Sequence, residues 1–233
     1  LYDEPHFLLQ QEVSEVGSYF SIIKAIAAGN HKLSAIAAVL EAKSTNLTKY
    51  LKTLMDLDIL ERRVPVTEEN PEKSKRGLYK IKDNYLRFWF AFIYPNMSFI
   101  ESGHSGIVMD KIRKGLTTSH IGFVYEDICQ ERMWELNVNN AWPFQFSKLG
   151  GYWDAKNEID IAALDPEGKN LILGECKYWK EPVGLNVLRD LEAKARDVAW
   201  ERDQRKVWYV LFSISGFSDE NYVPMPQHEM IFF

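Results

Sequence analysis

A pair of acidic residues and a lysine in the second half of the chain have types and spacing that could do chemistry. Asp160 lies in "EIDIAALD" (158–165), and Glu175 and Lys177 lie in "LILGECKYW" (171–179). Both stretches are strand-like, and side chains two apart on a strand share a face. Glu175 and Lys177 therefore point one way and Cys176 the other, while Glu158 and Asp160 share a face of their own strand. Pro166-Glu167-Gly168 supplies a hairpin turn between them, so Asp160 is expected to converge on the Glu175/Lys177 pair. Buried carboxylates are costly unless a cation or hydrogen bonds neutralise them. Lys177 alone offsets one carboxylate. A divalent cation with oxygen ligands, Mg²⁺ or Mn²⁺, is the natural remaining partner. The alternative is an exposed strand-end network of Glu158, Asp160, Glu175 and Lys177, in which each ion pair is worth only about 0–1 kcal/mol.

The elements that must position these groups can be traced from residue 118 onward. "TSHIGFVYEDICQERMWELN" (118–137) predicts a helix with Ile121, Val124, Tyr125, Ile128 and Met133 on its apolar stripe and Glu126 beside it. "FQFSKLGGYWD" (144–154) predicts a short strand and a Gly-Gly turn, followed by the two strands above. "VGLNVLRDLEAKARDVAW" (183–200) is an amphipathic helix and "KVWYVLFSIS" (206–215) a buried strand. The order is helix, strand, strand, strand, helix, strand.

That order, with Asp160 in "EID" and Glu175-Cys176-Lys177 in "GECK", resembles the PD-(D/E)XK nuclease superfamily over about residues 118–215. The resemblance implies a restriction-endonuclease-like αβββαβ domain. It further implies that Asp160, Glu175 and the backbone carbonyl of Cys176 bind Mg²⁺ (or Mn²⁺) and that Lys177 positions or activates water. Glu126 would be the helical glutamate that many members place before the sheet, completing the ligand set. A bound metal lowers the pKa of its water and polarises a phosphate, which is what phosphodiester hydrolysis needs. The superfamily also includes members that kept the fold and lost the reaction, so a catalytically silent module stands as the alternative.

The first half of the chain is a different electrostatic object. Residues 18–82 hold twelve Lys/Arg against seven Asp/Glu, whereas residues 118–233 hold twelve against nineteen, within a net charge of −5. Three helices are predicted: 18–30, ending at Gly29-Asn30; 33–42, starting at Ser34 with Ile36, Val39 and Leu40 inward; and 44–59, with a Ser/Thr N-cap and a stripe of Leu47, Leu51, Leu54 and Leu57. "LERRVPV" and "GLYKIK" then flank a polar tip, which predicts a long hairpin over 60–83. Helix, helix, helix, wing resembles a winged helix-turn-helix. That resemblance implies duplex DNA contact, with Asn46, Lys49, Tyr50 and Lys52 facing the groove and Arg62, Arg63, Lys73, Lys75 and Arg76 near phosphates. Winged helices also serve as dimerisation or docking modules, and Glu68, Glu69 and Glu72 in the wing leave that reading open. The aromatic run 84–103 predicts packing, with Phe88, Trp89, Phe92 and Ile93 on a helical face ended by Pro95.

Cys129 and Cys176 are the only cysteines and are expected to be buried free thiols, consistent with a cytoplasmic protein. No apolar run reaches the roughly 18–20 residues that span a bilayer. Together "RGLYKIKDNYLRFWFAFIYPN", "GECKYW" and "VLFSISGF" resemble the C-terminal half of archaeal-type AAA-like ATPases, which join a P-loop NTPase to a winged helix and a nuclease-like domain. No G-x-x-x-x-G-K-[ST] phosphate loop occurs in this chain. The expectation is a mixed α/β (α+β) chain. Its parts would be a linker at 1–17 from a missing N-terminal ATPase, a winged helix at 18–83, a helical connector at 84–117 and the nuclease-like domain at 118–233. Duplex or branched DNA and the missing ATPase domain are the expected partners, and self-association is left open.

Overall fold

Apolar spacing of three and four residues accounts for the first elements. Val16–Ala27 (α1), Leu33–Val39 (α2) and Ser44–Asp56 (α3) are helices, and Leu60–Arg63 (β1) and Leu78–Ile81 (β2) form an antiparallel hairpin, Leu60 facing Ile81. This computed structural model describes residues 16–218 and 230–232. Residues 1–15, most of the segment expected to be a linker, lie outside them. The chain divides into two units: residues up to 63 with 75–120, and residues 64–74 with 121 onward.

In the first unit Ile23, Ile36, Leu51, Leu54 and Leu60 are fully buried at the junction of the three helices and the hairpin. A lone antiparallel bridge, Lys32 to Leu78, and the bond from Tyr79 N–H to His31 O tie the start of α2 to the hairpin. Several local expectations need correction. The N-caps of α2 and α3 are Lys32 and Lys43, and neither contributes a side-chain cap; Ser44 is the first helical residue. Val39 is exposed rather than inward, because α2 stops at that turn.

Pro95 does not end the aromatic segment. Asn84–Phe88 (α4) opens into a π-helical turn at Trp89–Ile93, Pro95 sits in a 3₁₀ turn at Tyr94–Asn96, and Met97–Glu101 (α5) continues. The missing N–H of proline is tolerated at the first turn of a new helical segment. Phe20 of α1 meets Trp89, Phe90 and Tyr94 at ring separations of 5.1–6.2 Å, so these aromatics are core, as expected. Ser105–Leu116 (α6) closes this unit with Val108 and Ile112 against Phe92.

The second unit is a five-stranded sheet with a helix on each face. Gly122–Val138 (α7) precedes Lys148–Trp153 (β3), Glu158–Leu164 (β4) and Asn170–Lys177 (β5), with β3–β4 and β4–β5 antiparallel. Leu185–Asp197 (α8) crosses to Lys206–Ser213 (β6), which runs parallel to β5, and Met230–Phe232 (β7) adds a further parallel strand beyond the expected element order. Antiparallel strands close through tight turns, while the parallel β5–β6 pair needs the crossover helix. Gly150-Gly151 is not a turn but a register shift inside β3, the irregularity a flexible glycine pair permits.

Leu171, Leu173 and Leu211 face α8, and Ile172, Val210 and Phe212 face α7. The buried stripe of α7 is Cys129, Met133 and Leu136; Ile128, expected inside, is 54% exposed. No helix among the described residues is long and apolar enough to cross a membrane.

Candidate functional site

The site grows from the end of the β4–β5 pairing. The ladder runs from Leu164↔Leu171 to Ile161↔Gly174. Beyond it a side chain takes over from the backbone: the Cys176 N–H donates to Asp160 Oδ2 at 2.8 Å. Gly174 permits the convergence, because a Cβ there would lie 2.9 Å from Val210 O and 3.2 Å from Ile161 Cβ. The Asp165-Pro-Glu-Gly168 turn holds the register, with Glu167 N–H donating to Asp165 Oδ1 at 2.7 Å and Gly168 at φ +74°.

Asp160, Glu175 and Lys177 come together as the strand periodicity predicts. Lys177 Nζ donates to Glu175 Oε2 and lies 3.6 Å from Asp160 Oδ2. Glu175 is buried, its side chain 5% exposed, so the cluster is not the exposed strand-end network posed as the alternative. Burial, then the adjacent Glu175 charge, pushes the Asp160 carboxyl up to about 6. Two carboxylates at one point resist being ionised together, as expected of like charges in a poorly solvated place. Burial alone would lower the Lys177 ammonium, but Asp160 and Glu175 outweigh it and hold its pKa above the ordinary value.

One participant was missed. Lys194 of α8 donates to Glu175 Oε1 at 2.6 Å and to the Glu158 carbonyl at 2.8 Å. Its only sequence signal is a position on the flank of the amphipathic stripe, between buried Leu191 and Ala195. Gln130 of α7 was missed too, and donates to the Asp160 carbonyl at 3.3 Å. Glu126 is half-buried on α7. It comes close enough to Cys176, the residue between Glu175 and Lys177, to help push that thiol upward, after burial, Cys129 and Asp160. Both cysteines are free and buried, as expected.

Among the described residues no group of three or more His, Cys, Asp or Glu side chains gathers to hold a metal ion. The donor set at this point is instead two carboxylates and, at Cys176, a backbone carbonyl. Those are hard oxygens, and Mg²⁺ characteristically uses one or two carboxylates while keeping several waters. The residues present therefore fit a hard divalent cation held largely by water, provided the lysines make room.

The first-unit candidates fall in two groups. Asn46, Lys49 and Lys52 are exposed on α3, opposite buried Leu47, Leu51 and Leu54, while Tyr50 packs edge-on against Tyr19 at 5.1 Å. Arg62 and Arg63 are half-buried in β1: the Arg62 guanidinium lies against Gly77, and Arg63 Nε bonds Glu61 Oε1 at 2.6 Å. Lys75 and Arg76 are exposed near the start of β2, and Lys73 is exposed in the tip that belongs to the second unit. In that tip Val66 N–H donates to Gly151 O at 3.0 Å.

No solved structure matches the chain. An uncharacterized protein of Methanocaldococcus jannaschii, MJECL04, is 38% identical over 221 residues, which is 94% of this chain and 48% of the relative. The chain thus spans about half the length of the curated relative it matches. Residues 89–196, which include Glu126, Asp160, Glu175, Lys177 and Lys194, match DUF234, a family of archaeal and bacterial proteins of unknown function. The stretch similar to DUF234 is flanked here by the three-helix and hairpin elements on one side and by β6 and β7 on the other.

Proposed function

We propose that the second unit is a PD-(D/E)XK-type, Mg²⁺-dependent phosphodiester-hydrolysing domain and that the first unit is a winged helix-turn-helix that holds DNA for it. The observation that carries the reading is the convergence of Asp160 on β4 with Glu175 and Lys177 on β5, where the ladder ends. The helix, three antiparallel strands, crossover helix and parallel strand in that order support it.

Asp160, Glu175 and the Cys176 carbonyl would hold the cation, with Glu126 reaching it through water. The cation would supply an activated water near neutral pH and charge stabilisation at the phosphate. Lys177 stays protonated beside both carboxylates and is placed to orient the nucleophile or meet developing negative charge. Cys176 N–H fixes the Asp160 carboxylate, and Gln130 fixes its backbone from the other face. Lys49 and Lys52 are exposed on α3, and Lys75 and Arg76 near the start of β2, cations of the kind that duplex binding would use. In the AAA-like ATPase resemblance the nucleotide-binding part would lie outside this chain.

A second reading is favoured by one observation: Lys177 and Lys194 occupy both oxygens of Glu175, so the charges already balance without a cation. The fold would then be a silent docking or DNA-binding module. Calorimetry with Mg²⁺ and Mn²⁺, alongside cleavage of single-stranded, duplex and branched DNA, separates the two. Cation binding and cleavage that both vanish in Asp160→Ala are expected from the nuclease. Absence of both in the parent protein would establish the silent module.

A further inference from the structure

Lys194 has no part in the nuclease reading as stated, yet it holds the ligand oxygen that a cation would need. Glu175 has two oxygens and both are taken: Oε2 by Lys177 on its own strand, and Oε1 by Lys194 from α8 at 2.6 Å. Oε1 has a second lone-pair site, but an ammonium and a divalent cation brought to the same oxygen repel each other strongly at that distance. A cation taking that oxygen therefore drives one lysine away by charge repulsion.

The surroundings decide which one. Lys177 also lies 3.6 Å from Asp160, within reach of both carboxylates, and its side chain is 19% exposed. Lys194 is 30% exposed, and among the described residues its other bond is to the carbonyl of the exposed Glu158. Its four-carbon stem lets the ammonium swing to water without moving α8, whose inward residues Leu188, Leu191 and Ala195 stay packed.

We propose that Lys194 is a resident counter-ion of this site, displaced when a divalent cation binds, so that it sets how tightly the cation is held. The proposal rests on the metal-site reading above. It adds a competition: without the cation, Lys194 neutralises the otherwise costly buried Glu175; with it, Lys194 is released to the surface. The lysine keeps the empty site folded and weakens its grip on the ion.

The test uses the full chain and Mn²⁺ alone. By calorimetry Lys194→Gln should bind Mn²⁺ about ten-fold or more tightly than the parent, since a unit charge within hydrogen-bond distance of the ligand oxygen is removed. Lys194→Arg, which keeps the charge, should stay near the parent. Without Mn²⁺ the Gln variant should melt lower than the parent, and saturating Mn²⁺ should raise its melting temperature by more. If Lys194→Gln does not fold, the parent still answers: acetylation of Lys194 by acetic anhydride, followed by mass spectrometry, should quicken severalfold when Mn²⁺ saturates the protein. Equal or weaker Mn²⁺ binding by a folded Lys194→Gln, or an acetylation rate that Mn²⁺ leaves unchanged or slows, would overturn the displacement while leaving the metal site standing. Absence of Mn²⁺ binding in folded parent, Gln and Arg proteins alike overturns the metal site itself and the displacement with it.

Discussion

Replacing Asp160 by asparagine should make the cation-free protein more stable at neutral pH, and the structure sets the size of the effect. The Asp160 carboxyl titrates at about 6 in the fold against 3.8 for an unperturbed aspartate. A carboxylate with a raised folded pKa contributes stability when protonated, and that contribution is lost as pH rises from the unfolded value through the folded one. Each pH unit between those two values is worth about 1.4 kcal/mol, so ionising Asp160 costs the fold at most about 3 kcal/mol above pH 6. The side chain is 16% exposed, and partial hydration brings the working figure to about 2 kcal/mol. Asparagine cannot ionise, and its carbonyl oxygen can still accept the Cys176 N–H. Chemical denaturation of the second unit between pH 4 and 8 should show the parent losing stability as pH rises from about 4 to 6.5, and Asp160→Asn losing much less. The variant should be the more stable protein at pH 7.5. Saturating Mg²⁺ should reverse that order, because only the parent gains binding energy. A variant less stable at pH 7.5, with the parent's pH slope unchanged, would refute the reasoning: Asp160 would then be a stabilising partner of Lys177 and not a carboxylate crowded by Glu175.

Two further outcomes follow from specific contacts. Gly174→Ala places a methyl 2.9 Å from the Val210 carbonyl and 3.2 Å from Ile161. It should cost about 1–3 kcal/mol by overpacking, visible in denaturant melts, and weaken Mn²⁺ binding by spreading Asp160 from Glu175. For the first unit, Lys49→Glu with Lys52→Glu should lower duplex affinity. Each lost phosphate contact should also flatten the slope of log affinity against log salt by about 0.9. Unchanged affinity and slope in filter-binding or fluorescence titrations would assign that face to protein contact.

The strand pattern was enough to place Asp160, Glu175 and Lys177 together, because alternation and a tight turn dictate both the face and the partner strand. Helix ends were less legible. Lys43 sits at the N-cap position that a Ser/Thr is expected to fill, and α2 starts at Leu33, one residue before the expected Ser34, with Lys32 as its N-cap; extended backbone before a helix needs no particular side chain when water satisfies the first N–H groups. The face of α7 was misjudged for a different reason. Ile128 joins Tyr125 and Met133 near helical spacing, yet the stripe that packs against Ile161, Ile172 and Val210 runs Tyr125, Cys129, Met133 and Leu136, so only tertiary packing turns Ile128 outward. Lys194 was invisible on the same grounds. Nothing in "LEAKAR" marks one lysine as special until the crossover helix lies over β5 and brings it to Glu175. Local periodicity thus revealed the two carboxylates, whereas the second cation that balances them is a product of tertiary placement. That asymmetry matters for function. A site judged from its motif holds two negative charges and one positive, and invites a metal. The folded site holds two of each, and whether it works as a metal centre depends on how readily Lys194 yields.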